Sequence, residues 1–156
     1  MLKKFFPQPN GHSWFVVAML GILVGLSLFT FIYARGGSYF LDDPQACLNC
    51  HIMRDQFDAW NHSTHKQVAN CNSCHTPKGL FGKYLVKGIN GWNHSLAFTT
   101  GKFSDPLRIR PFNRKIAINN CIRCHQGLTS RMLNNARGQR ADCLACHGNV
   151  GHSTRN

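Results

Sequence analysis

Cys47-Leu48-Asn49-Cys50-His51-Ile52-Met53 decides how this chain is read. In a Cys-x-x-Cys-His run two thiols can add to the vinyl groups of a porphyrin while the next imidazole faces the iron, so the run is the attachment signature of c-type haem. It recurs as Cys71-x-x-Cys74-His75, Cys121-x-x-Cys124-His125 and Cys143-x-x-Cys146-His147, and the four runs use all eight cysteines. No thiol is left for a disulfide or a nucleophile. A zinc site or a disulfide framework would use the cysteines without needing a histidine after each pair. Four repeats of the full signature weigh against both. The first run follows the long apolar segment and alone carries a methionine two residues past its histidine.

The chain has 156 residues. Once a membrane segment is subtracted, too little remains to enclose four haems in an ordinary side-chain core. The haems must be the core. The expected fold is mainly α: a single N-terminal transmembrane helix plus a small multihaem domain of short helices and loops wrapped around four c-type haems. Fourteen glycines suit such a wrapping.

Residues 1–12, with Lys3 and Lys4, read as a polar lead-in. Residues 13–34 carry no charged side chain, and 22 residues at about 1.5 Å each reach about 33 Å, enough to cross a bilayer. A cleaved signal peptide would have a shorter apolar region ending at a small-x-small site. Trp14 and Tyr33 sit at the ends of the segment as interfacial aromatics do. Gly21 and Gly25 make a Gly-x-x-x-Gly step that allows another helix to approach, a route to self-association. Because c-type haem is attached outside the bacterial cytoplasmic membrane, residues 35–156 are expected to form a periplasmic tetrahaem domain and residues 1–12 to be cytoplasmic. Lysines on the inner side agree with that orientation.

The formal charge of +12 comes from 18 Lys and Arg against six aspartates and no glutamate. Such an excess can signal nucleic acid or anionic lipid. Haem propionates supply negative charge that composition does not count, so no nucleic-acid partner is read from it.

The runs start at 47, 71, 121 and 143, separations of 24 and 22 around a longer middle stretch, which is the pattern of a duplicated two-haem unit. Asp42-Asp43-Pro44 is a turn signal before the first run. Residues 79–98 mix Lys83, Lys87, Trp92 and His94 with apolar residues at helical spacing, and form the one sizeable helix expected beside the haems. Asp105-Pro106 and Pro111 are expected to break the chain beyond that helix into loop.

Four haems need up to eight axial ligands, and the chain has nine histidines. His51, His75, His125 and His147 belong to the runs. His12 lies on the far side of the membrane segment, which leaves His62, His65, His94 and His152. By spacing, His65 and His152 lead and His62 and His94 follow, since a spare histidine can equally serve a propionate or the backbone. Met53 either packs on the porphyrin or binds the first iron, and from two residues past His51 it would replace that histidine rather than complement it. The opposite face would then be open, as a quinol-oxidising site requires.

On the anchor, the four runs, the Cys-x-x-Cys-His-x-Met of the first, Trp60-Asn-His-Ser-Thr-His65 and Gly91-Trp-Asn-His-Ser95, the chain resembles the NapC/NirT-type membrane-anchored tetrahaem quinol dehydrogenases. Within them it is most similar to the NrfH-like small subunits of cytochrome c nitrite reductase. The resemblance implies that Met53 binds the first haem, that His65 and His152 are distal ligands of the third and second, and that the fourth, on His147, can take a ligand from the partner. It also implies a quinol pocket lined by Lys83. The family's aspartate beside the first haem is matched by Asn90, an amide that cannot take up the proton a quinol releases. A haem propionate, Lys83, His94 or one of the aspartates would have to do so. The expected function is menaquinol oxidation, with electrons passed to a periplasmic multihaem nitrite reductase in nitrite ammonification. The rival readings are a hub feeding other periplasmic reductases, a tethered relay that never meets quinol, and a terminal reductase, the last disfavoured because no Cys-x-x-Cys-Lys run is present.

Overall fold

The computed structural model describes residues 10–132 and 142–152; the Lys3 and Lys4 of the lead-in lie outside them. The chain divides into two compact units, Met1–Gly37 and Ser38–Asn156.

The first unit is built on α1, Gly11–Tyr33. It starts two residues ahead of the expected Ser13 because the Asn10 side chain accepts the Ser13 amide at 2.9 Å and so satisfies one of the donors every helix start leaves unpaired. Its mean hydropathy is 2.6 and none of that window is buried within the chain. At 23 residues it is about 34 Å long. A helix apolar on every side, with none of its apolar window buried among the described residues, has the character of a membrane span, not of a core helix. Among the described residues no atom comes within 4 Å of where a Cβ would stand on Gly21 or Gly25, so that notch is open there. Beyond the helix Gly36 passes against the Phe31 ring so closely that a Cβ there would clash.

The regular structure of the second unit is helical, with no strand among the described residues. Short 3₁₀ turns span Gly36–Phe40, Pro44–Asn49, His51–Met53 and Thr64–Gln67. The helices are α2 Arg54–Asn61, α3 Cys71–His75, α4 Leu80–Thr100, α5 Pro111–Cys124, α6 Gln126–Thr129 and α7 Cys143–Cys146. Helix α4 is the helix expected over 79–98, ended by Gly101 at φ 64°, the left-handed position that glycine occupies without strain. It is not alone. The stretch after Pro111 is not loop but the 14-residue α5, because proline at the first helical position lacks only an amide hydrogen that would have been unpaired there anyway.

Little of this unit is a side-chain core. Among the described residues Val86, Ala117, Thr76, Lys87 and Asn120 are buried. What joins the elements is polar. Asn120 on α5 donates to the carbonyls of Cys74 and Thr76 at 2.8 and 2.9 Å, closing the end of α3 against α5. Arg114 on α5 reaches both oxygens of Asp142 at 2.9 and 2.7 Å, and Asp142 accepts the Leu144 amide at the start of α7. Trp60 donates to the Ala69 carbonyl at 3.0 Å and folds the turn that carries His65 back along α2.

Candidate functional site

Each haem-attachment run sits on a helical turn, which brings cysteines three apart to one face with the histidine following. The turns are not alike. Asn70 immediately precedes Cys71, and its side chain and that of Ser73 make a reciprocal capping box. Asp142 caps the fourth run in the same place, and the third occupies the last turn of α5. In the third and fourth runs the histidine amide bonds the first cysteine's carbonyl at 2.9 Å. In the first run the cap is Asp43, four residues before Cys47, and the helical path breaks at Cys50, whose φ and ψ are −100° and 118°. His51 therefore opens a second turn, His51–Met53, and is exposed, while Met53 is half-buried.

No disulfide joins the eight cysteines. Their sulfurs instead neighbour one another from run to run. Cys47 and Cys71 hydrogen-bond, which lowers the Cys47 thiol and raises that of Cys71. Cys74 is pushed up by burial and then by Cys124, and Cys121 by burial, then Cys143, then Cys74. The runs thus follow one another in space in their sequence order. Among the described residues no group of three or more His, Cys, Asp or Glu gathers as a bare metal site, the geometry a zinc reading needs.

The histidines sort by their partners. The His65 and His125 rings stand 6.1 Å apart, centre to centre, at 66°. His75 and His152 stand 6.1 Å apart and nearly parallel, at 6°. An imidazole nitrogen lies about 2 Å from a bound metal, so two rings on opposite faces of one iron have centres about 6 Å apart. Both pairs fit an iron between them. Nδ1 of His65 is buried with no hydrogen-bond partner among the described residues, and His75 is pushed down to about 4 by burial and then by the charge of His152, so it is neutral, the form that ligates metal. Each pair joins a run to a histidine nearer in sequence to a different run. His62 uses Nδ1 on the carbonyl of Asp58 at 2.7 Å, and His94 meets Tyr39 Oη at 2.8 Å. Neither His51 nor His147 faces a second imidazole among the described residues.

Helix α4 turns Lys83, Lys87 and His94 toward the segment leading into the first run. Lys83 donates to Asp42, and the buried Lys87 reaches Asp42 Oδ1 at 3.2 Å and the Leu41 carbonyl at 2.7 Å. Asn72, inside the second run, donates to the same oxygen at 2.7 Å. The Lys83 hydrogen bond is the main reason that Asp42 is held down to about 2, with Lys87 and Asn72 adding to it. Asp42 is therefore a clamp joining α4 to the first two runs, a role its place in a turn signal did not reveal. Its signal in the sequence was the lysine pair at i and i+4 in a chain with few acids. Asn90 accepts the Asn113 side-chain amide at 3.0 Å, a structural bond to α5. Elsewhere on α4, Tyr84, Leu85, Gly88, Ile89, Trp92 and Asn93 line an open, largely apolar hollow of about 510 Å³.

A helical wrapping with almost no core, four thiol-pair turns in series and facing imidazoles define a multihaem cytochrome c. Residues 8–120 match the N-terminal region of the NapC/NirT cytochrome c family, and the chain belongs to that family; its haem c is covalently bound. The chain is 36% identical over 147 residues to the cytochrome c-type protein NrfH of Wolinella succinogenes, across 87% of this chain and 83% of that protein. Its fold matches a chain in the crystal structure of the cytochrome c nitrite reductase NrfHA complex bound to the HQNO inhibitor, with a TM-score of 0.62 at 22% identity over 90% of this chain and 99% of that one.

Proposed function

We propose that this chain is the membrane-anchored subunit that oxidises menaquinol at the outer face of the bacterial cytoplasmic membrane and feeds a periplasmic multihaem nitrite reductase. Residues 35–156 are the periplasmic domain and α1 is the anchor. Four haem c groups, held by the cysteine pairs of the runs, supply one-electron steps between a two-electron donor and the partner. The observation that carries the reading is the contrast among the runs: two histidine pairs at 6.1 Å beside a first run whose helix breaks and whose His51 has no facing imidazole. On this reading His75 with His152 and His125 with His65 bind the second and third irons. Met53 would hold the first and His147 the fourth, which would also draw on a residue of the partner. Lys83 and Asn90 border the quinol. The likeness to NrfH supports the nitrite-reductase partner, the apolar hollow on α4 supports an isoprenoid substrate, and the open Gly21/Gly25 notch supports contact with a second membrane helix.

The test is to purify the chain from membranes with whatever co-elutes, place it in liposomes and add menaquinol. Haem reduction by menaquinol and co-elution of a multihaem nitrite reductase are expected. Haems that dithionite reduces and menaquinol does not would make the chain a relay.

A further inference from the structure

Most polar groups of α4 that face the first run are already committed. Asp42 is a saturated, charged acceptor held by Lys83, Lys87 and Asn72, and Asn90 neither titrates nor stands free of Asn113. A quinol oxidised here must still lose two protons. One turn past Asn90, His94 Nδ1 lies 2.8 Å from Tyr39 Oη. The Tyr39 ring lies on Gly91, where an added Cβ would stand 3.4 Å from it, and Tyr39 feels the charges of Cys50 and Cys47. Tyr39 is half-buried and His94 exposed. The pair is thus a phenol–imidazole bridge from the first run's attachment point to solvent.

Its ionisation suits transfer. Although its surface is exposed, His94 lies below its ordinary value because neighbouring atoms strip part of its water and then because of the positive charge of Arg110, so near neutral pH it is an unprotonated base. Tyr39 is pushed up to about 12, chiefly by burial, a cause that persists once the two sulfurs are thioethers. It keeps its proton and can only pass one on. Among the described residues the charged or titratable groups that act on His94 are Tyr39 from the Gly36–Phe40 turn and Arg110 from the segment before α5.

We propose, on the quinol-oxidising reading above, that Tyr39 and His94 form the proton exit of the quinol site. A quinol O–H breaks as an O–H forms on Tyr39; the phenol's own O–H breaks as an N–H forms on His94 Nδ1. The phenol ends unchanged, the imidazolium releases a proton to water, and the electron goes to the ferric haem c of the first run. Two such events convert quinol to quinone.

The experiment uses the full-length holoprotein in liposomes as wild type, His94→Gln and Tyr39→Phe. Menaquinol-driven haem reduction and HQNO binding, read from the haem spectrum, are followed against pH, with dithionite reporting intact haems. The wild-type rate is expected to fall as pH drops through the His94 value, because the protonated ring cannot accept. His94→Gln is expected to lower the rate at pH near 7 by about a hundredfold and Tyr39→Phe by about tenfold. Both should erase the acid fall and the matching break in HQNO affinity, while HQNO still binds. Either assembled variant that keeps the wild-type rate and acid fall overturns the relay, and Tyr39→Phe decides alone if His94→Gln does not assemble. A wild type that menaquinol never reduces overturns the quinol reading itself.

Discussion

The first and second runs share the three signature residues at the same spacing and sit 24 residues apart, yet of the two only the second forms a single α-turn. The difference is where the cap falls. Asn70 touches the second run and starts its helix at Cys71, whereas Asp43 and Pro44 start a 3₁₀ turn early enough that it ends at Cys50, before the histidine. A haem run capped at its own first cysteine presents its histidine in register. One capped a turn earlier turns the histidine out and brings Met53 in. The proposed ligand set separates attachment from ligation in the first run and joins them in the others.

The largest effects should come from the histidine pairs. His65→Ala and His152→Ala should each convert one low-spin haem to high-spin by electron paramagnetic resonance, and the double variant should convert two. A full low-spin count in the double variant would mean that the 6.1 Å pairs hold no iron. Met53→Leu comes next. One haem spectrum should change and quinol oxidation fall by about tenfold, since a thioether raises haem potential relative to an imidazole; unchanged spectra would reduce Met53 to packing.

Much of this was legible because it is local. Anchor, runs and α4 are set by contiguous residues, and each was read at nearly its observed bounds. Pro111 is ambiguous in the sequence because proline breaks a helix interior but starts a helix equally well, as it does for α5, and which applies depends on what precedes it. The histidine partners join residues 60 and 77 apart, His65 with His125 and His75 with His152. Spacing could only rank the candidates, and resemblance to the family supplied the pairing. Asp42 was hidden for the same reason: its lysines lie 41 and 45 residues away.

Smaller changes sharpen the comparison. Asp42→Asn should release Lys83 and strand the charge of Lys87, weakening quinol turnover several-fold, as should Lys83→Ala, and costing about 1 kcal/mol in denaturant unfolding because the carboxylate is half-exposed. The folded value of Asp42 lies below its ordinary 3.8. Its stabilisation is therefore complete above pH about 4 and lost as pH falls toward about 2, a loss that Asp42→Asn should not show. Asn70→Ala should cost about 1 kcal/mol through the capping box and disturb the second haem; an equal disturbance of the first would contradict the separate caps. Asn90→Asp should matter least, since Asn113 can donate to either side chain. The quinol rate should change by less than about threefold while the pH optimum moves.

The most direct test of the separation between the first run and the rest is magnetic circular dichroism of the oxidised holoprotein with and without HQNO. The near-infrared bands of bis-imidazole haem should come from the second and third runs and survive HQNO unchanged. A distinct high-spin haem, lost in Met53→Leu, should be the one that HQNO perturbs. A first-run haem with a bis-imidazole signature, indifferent to both HQNO and the loss of Met53, would contradict the account.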